Sequence, residues 1–234
     1  MAKVLTKQEW KRRKKLYAYA KLAAAAALAL LIVLVLLLGF IKVMRNLFSR
    51  GGAETPPAST MKQELDITEL FLSKNEYTRP GNALTEVKGI IIHYVADAGS
   101  TAVENRNHYE SLKDGSAKTA ESTHFIIGLN GEIIQCIPLS EVACASGARN
   151  EDTISITFCH PEIDGIPTTA THQSLVKLTV YLCAKYGLDK TAVLRHSELG
   201  GQSCPKYFAE QKEKWAAFLA ETDTLLSQQK KDKK

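Results

Sequence analysis

Three side chains in this 234-residue sequence have the chemistry to grip one metal ion: His93, His196 and Cys204. His93 lies inside an apolar, β-branched run, KGIIIHYV, at 88–95. His196 follows the short run TAVLR, and Cys204 stands eight residues later at the far end of a glycine-rich stretch, HSELGGQSCP. Imidazole nitrogen and thiolate sulfur are donors that zinc favours, and catalytic zinc sites use three protein ligands with a fourth position left for water. Gly200 and Gly201 would let the loop curl so that His196 and Cys204 reach the same ion. Residue types alone leave a second reading open, in which His93 is a core histidine satisfied by hydrogen bonds and the His–Cys spacing is incidental.

If the three are to meet, regular elements must bring them together. The 88–95 run predicts a buried strand. Residues 101–113 show helical spacing with charged faces. The runs His124–Gly128 and Glu132–Pro138 flank Leu129-Asn130-Gly131, and Asn-Gly between apolar runs predicts a hairpin. Thr153–Cys159 alternates and is rich in β-formers, so it is a further strand. Thr169–Tyr186 predicts an amphipathic helix with Leu175, Leu178, Leu182 and Tyr186 near one face, stopped by Gly187. Thr191–Arg195 predicts a short strand, and Tyr207–Leu226 a closing helix. Strands mixed with helices give an α/β class, a single mixed β-sheet flanked by helices.

Composition divides the chain further. Residues 22–41, LAAAAALALLIVLVLLLGFI, carry no charge, and twenty residues of helix span about 30 Å, the thickness of a bilayer core. The run is longer than the roughly 7 to 15 apolar residues of a signal peptide and lacks an Ala-x-Ala exit, which predicts a retained transmembrane helix ahead of the folded domain. Lys3, Lys7, Lys11, Arg12, Arg13, Lys14, Lys15 and Lys21 precede it, against Lys42, Arg45 and Arg50 just after, so the positive-inside rule places the N-terminus in the cytoplasm and exports the remainder. The expected organisation is a basic cytoplasmic stub at 1–21, a single-pass anchor at 22–41, and a flexible linker at 42–64 holding Gly51-Gly52 and Pro56-Pro57. A folded domain follows at 65–226, then a disordered basic tail at 227–234. The net charge of +5 gathers largely in the stub and the tail. No aromatic-basic motif accompanies it, which argues against nucleic acid and for contact with anionic lipid. Of five cysteines, Cys136, Cys144 and Cys183 sit in apolar surroundings and read as small buried residues. An odd count in an exported domain leaves at least one thiol free or bound to something, and a disulfide stays open.

Four segments in this order, IIIHYV, STHFIIGLNGEIIQCIPLSEV, TISITFCHP and LRHSELGGQSCPKYF, resemble the N-acetylmuramoyl-L-alanine amidases of the amidase-2 type, which are related to amidase-type phage lysozymes and peptidoglycan recognition proteins. The resemblance covers roughly Leu65 to Leu219. It implies that His93, His196 and Cys204 bind zinc, and that the substrate is peptidoglycan or a muropeptide, cut between N-acetylmuramic acid and L-alanine. It also implies a place facing the cell wall, outside the cytoplasmic membrane. Zinc would lower the pKa of its water towards ~7 and polarise the scissile carbonyl.

The same resemblance marks departures. Thr157 stands where many relatives carry a glutamate base, Thr123 where others carry a tyrosine, and Gln202 where most carry a lysine that steadies the oxyanion. A threonine hydroxyl is no base near neutral pH, and a glutamine amide donates without charge. Glu121, two residues before Thr123 and sharing its face if the segment is a strand, is the nearest substitute base, ahead of Glu198, His124 and His160. His108 and His172 read as ordinary exposed polar residues. The alternative function is a catalytically impaired module of the same fold that binds peptidoglycan without cutting it.

Overall fold

The computed structural model describes residues 65–200 and 203–231. Six strands form one sheet in the order β1-β4-β3-β5-β2-β6. They are β1 (Ile67–Glu69), β2 (Gly89–Tyr94), β3 (Phe125–Ile127), β4 (Ile133–Gln135), β5 (Thr153–Phe158) and β6 (Val193–Arg195). β3 and β4 pair antiparallel, and every other neighbouring pair is parallel. The fold is therefore the expected mixed sheet with helices, with β1 as a strand that the sequence reading did not pick out.

The helices are α1 (Ala102–Ser111), α2 (Thr169–Tyr186), α3 (Lys206–Glu210) and α4 (Lys212–Lys231). α1 starts at a reciprocal cap: the Thr101 side chain accepts from Glu104 N–H, and the Glu104 carboxylate accepts from Thr101 N–H at 2.8 Å. α2 has the predicted bounds, with Thr168 capping its start and Gly187 at φ 68° ending it in the left-handed conformation. The Asn130-Gly131 turn joins β3 to β4 as expected. Gly131 has φ 83°, and a Cβ there would lie 2.8 Å from the Ala170 carbonyl oxygen, so the turn and the start of α2 are fitted to glycine.

Strand alternation separates two cores. Ile90 and Ile92 of β2, Phe125 and Ile127 of β3, and Ile154, Ile156 and Phe158 of β5 pack with Leu175, Leu178 and Leu182 of α2 and with Phe218 of α4. The alternate residues face the other way, where Ile126 and Ile134 meet Ala102, Tyr109 and Leu112 from α1 and the turn after it. His93 and Thr157 belong to this second set by parity, which is why the chemistry collects on the α1 side of the sheet.

Two expectations for the C-terminal region are corrected. The single closing helix is broken at Gln211 (φ −115°, ψ 85°). Arg195 Nη1 donates to the Phe208 carbonyl at 2.9 Å, taking the acceptor that Lys212 N–H would use in an unbroken helix. The expected disordered tail from Ser227 is instead helical to Lys231, because Leu226 and Gln229, one turn apart, are both buried. Among the described residues no helix is long and apolar enough to cross a membrane. The 22–41 run and the 42–64 linker lie outside the described residues.

Candidate metal centre and its cavity

β2 and β6 bring the histidines together. Their parallel register matches Ile92 with Arg195, so His93 and His196 follow side by side at the strand ends. His196 opens a 3-10 turn, and the chain returns so that Ser197 N–H donates to the Cys204 carbonyl at 2.7 Å. Arg195 braces this return: it donates to Glu198 at 2.8 Å and lies over the Trp215 ring at 5.3 Å. Glu198 is thus held by Arg195 and does not line the cavity described below. The His93 and His196 ring centroids are 4.5 Å apart, and Cys204 Sγ is 3.9 Å from His93 Nδ1. All three donor atoms lie within 4.8 Å of one another. Zinc bonded at 2.0–2.1 Å to nitrogen and 2.3 Å to sulfur in tetrahedral geometry would set such atoms about 3.3 to 3.6 Å apart, so this donor set fits the ion.

The electrostatics agree with that chemistry. Burial, with His196 adding to it, pushes the His93 pKa down from 6.5 to about 3, and burial lowers that of His196 as well. Both rings are therefore neutral and have lone pairs to offer. The Cys204 thiol is pushed up to about 11, chiefly by burial and partly by the Glu121 charge, against a hydrogen bond from the Tyr94 backbone. A divalent cation reverses that balance and draws the thiol to its thiolate.

A hydrogen-bonded chain behind His93 sets its orientation. His93 Nε2 lies 3.2 Å from Ser146 Oγ, which lies 3.4 Å from Ser155 Oγ. Asn150 Oδ1 accepts from Ala145 N–H and Ser146 N–H and so pins Ser146 in place. With Nε2 committed to Ser146, Nδ1 is the atom left to face Cys204. Ser146→Ala is expected to weaken zinc binding by about 10- to 100-fold while leaving the fold intact. A competitive zinc titration checks this, and unchanged affinity would remove Ser146 from the account.

The three donors lie at the floor of a cavity of about 640 Å³ that Thr157, Tyr109 and Glu121 also line. Thr157 is buried and is the register partner of His93. Glu121 is exposed at the cavity edge and lies outside β3, so it does not share a strand face with Thr123. Thr123 is buried and donates to the Ser155 carbonyl at 3.1 Å. Gln202 lies outside the described residues, as does Gly201. His108, read as an ordinary exposed residue, reaches the cavity edge. His172 pairs with Glu221 at 2.9 Å.

His124 and His160 are committed elsewhere. His124 Nδ1 accepts from Ser155 N–H and Nε2 donates to the Glu141 carbonyl, both at 3.0 Å. His160 places its ring nitrogens against the Glu162 and Val95 carbonyls at 2.7 and 3.0 Å and stacks on Tyr94. Burial lowers the His124 pKa from 6.5 to about 4. Between those values the unfolded chain holds a proton that the folded chain does not, so stability rises with pH across this window and falls on acidification until about pH 4. Denaturant midpoints of the metal-free chain from pH 7 to pH 4 should show this slope, and His124→Gln should reduce it, leaving the share that the buried His93 contributes. An unchanged slope would assign the acid sensitivity to other groups.

Tyr109 and Ser146 were missed in the sequence. Tyr109 had a faint signal, seven residues after Ala102 on one helix face. Ser146 had none, since its link to His93 spans 53 residues.

The sequence profile of the amidase-2 family, N-acetylmuramoyl-L-alanine amidase, matches residues 83–207, more than half of the chain and all three candidate ligands. The chain belongs to this family. Among curated relatives it is 29% identical over 172 residues to the N-acetylmuramoyl-L-alanine amidase CwlL of Bacillus licheniformis, covering 68% of this chain and 47% of that one. It is 28% identical over 173 residues to the N-acetylmuramoyl-L-alanine amidase BlyA of Bacillus subtilis (strain 168), covering 65% and 45%. The chain thus spans just under half the length of these relatives. A mutant endolysin from Bacillus subtilis shares the fold, with a TM-score of 0.56, 24% identity, and 67% of this chain and 97% of that chain covered.

Proposed function

We propose that this chain is a zinc-dependent N-acetylmuramoyl-L-alanine amidase that cuts peptidoglycan between the lactyl group of N-acetylmuramic acid and the first L-alanine of the stem. The observation that carries the reading is the meeting of three zinc-type donors within 4.8 Å at the floor of a cavity large enough for a muropeptide. Family membership and the curated amidases it resembles support it.

His93 through Nδ1, His196, and Cys204 through Sγ would hold the ion. When bound, zinc supplies Lewis-acid polarisation of the scissile carbonyl and makes water acidic enough to attack near neutral pH. The chain's own groups do the rest. Ser146 keeps the His93 ring turned with Nδ1 inward. Glu121, at the cavity edge and close enough for its charge to act on Cys204, takes a proton from the attacking water and returns it to the departing amine. Thr157 gives only a hydrogen bond, and Gln202 takes the lysine's place as an uncharged donor.

Incubating the purified full-length chain with peptidoglycan should release new L-alanyl N-termini with zinc and none with a chelator. Retention of peptidoglycan without release would instead mean a binding module, and release unaffected by the chelator would rule out the metal.

On composition alone, we further propose that residues 22–41 anchor the chain in the cytoplasmic membrane, with the basic side in the cytoplasm and the 65–231 domain facing the wall. Protease added to cells stripped of their wall should digest that domain while sparing the cell interior. Full protection would overturn the orientation.

A further inference from the structure

We propose that Tyr109 is a catalytic residue of the hydrolysis assigned above, its phenol hydroxyl donating a hydrogen bond to the carbonyl oxygen of the scissile amide. The inference rests on the amidase reading and adds a group to its chemistry.

Three observations place this hydroxyl. First, Tyr109 is only 7% exposed, yet it lines the same cavity as His93, His196 and Cys204. α1 lies over β3 and β4 and drives the ring inward among Ala102, Leu112 and Ile126, with Cys136 and Cys159 beneath. With the ring packed among these residues, we infer that the hydroxyl is the end left to face the cavity. Second, Thr157 lines the same cavity as Tyr109 and is the register partner of His93. Neighbouring strands are about 4.8 Å apart, so the wall that Thr157 and Tyr109 share begins one strand away from a proposed ligand. Third, Glu121 and Cys204 line the same cavity as Tyr109, so phenol, carboxylate and thiol surround one space.

The chemistry follows from what lines this cavity. A threonine occupies the position of the expected glutamate, and among the described lining residues there is no lysine or arginine to meet developing negative charge on the carbonyl oxygen. A phenol is a strong neutral donor. Burial first, then the Glu121 charge, push its pKa up, so the hydroxyl keeps its proton at every working pH. It donates without transferring the proton, and no bond to it forms or breaks. A donor that is fixed before the charge develops stabilises the transition state more than the ground state.

Tyr109→Phe in the zinc-loaded full-length chain isolates the hydroxyl, because the ring that packs is kept. Turnover (kcat) is expected to fall about 10²- to 10³-fold, with KM within about threefold and zinc content unchanged. A phosphinate analogue of the N-acetylmuramoyl–L-alanine bond should bind about as many fold more weakly as kcat falls. Should Tyr109→Phe unfold the chain, 3,5-difluorotyrosine at position 109 preserves shape and lowers the phenol pKa. The alkaline limb of the pH–rate profile, or of phosphinate affinity, then moves to lower pH. Wild-type turnover with kcat and phosphinate affinity unchanged in the Phe variant overturns the proposal and leaves the amidase reading standing. A wild-type chain that binds the phosphinate without cutting peptidoglycan overturns the amidase reading, and the Tyr109 contact is then decided by phosphinate affinity. A chain that neither cuts nor binds overturns both.

Discussion

Replacing His196 with alanine, or Cys204 with serine, is expected to abolish bound zinc and turnover together. The donor set has three members within 4.8 Å, and each variant leaves two. Serine is nearly the size of cysteine, but its hydroxyl does not ionise near neutral pH and oxygen lacks the softness of sulfur. Structural zinc sites bind with roughly 10–16 kcal/mol in all, so losing one donor's share is expected to weaken zinc by at least ~10²-fold. Because the metal binds only the folded chain, its loss should also lower the melting temperature measured in zinc. Elemental analysis and the L-alanyl release assay check both outcomes. A Cys204→Ser chain that keeps one zinc per molecule would show that the ligand lies elsewhere.

The second large effect is at Glu121. Glu121→Gln keeps size and hydrogen bonding but cannot accept a proton, so kcat is expected to fall about 10²- to 10⁴-fold with KM little changed. Zinc binding should not weaken. Glu121 now raises the Cys204 pKa, and removing its charge makes the thiolate easier to form. A drop in kcat with zinc retained therefore marks a proton carrier, whereas a drop in both would mark a residue that shapes the metal centre. If kcat holds within threefold, another group carries the proton.

Thr157→Glu is informative beside these. Position 157 is buried on the cavity floor, opposite His93 in the strand register. A carboxylate there would stand where the family resemblance places one, and it would make the exposed Glu121 redundant if Glu121 is its substitute.

The sequence by itself determined what depends on neighbours along the chain. The 3.6-residue pattern and the glycine stop located α2 to the residue, the Asn-Gly pair located the β3–β4 hairpin, the apolar β-branched run located β2, and alternation located β5. The order of four motifs also identified the family. What is close in space but distant in sequence was decided by the tertiary structure alone. Cys204 and His93 are 111 residues apart, and only the parallel pairing of β2 and β6 shows that their donors meet. His124 and His160 look as capable of holding a metal as His93 in the sequence. They are removed because backbone groups, all but the Glu162 carbonyl from distant segments, already occupy their ring nitrogens. The break at Gln211 comes from Arg195, sixteen residues earlier, and the helix beyond Leu226 persists because Gln229 still finds a buried place. Periodicity says which face of an element turns inward. Which side chain it meets there depends on strand order and register, and these are properties of the assembled sheet.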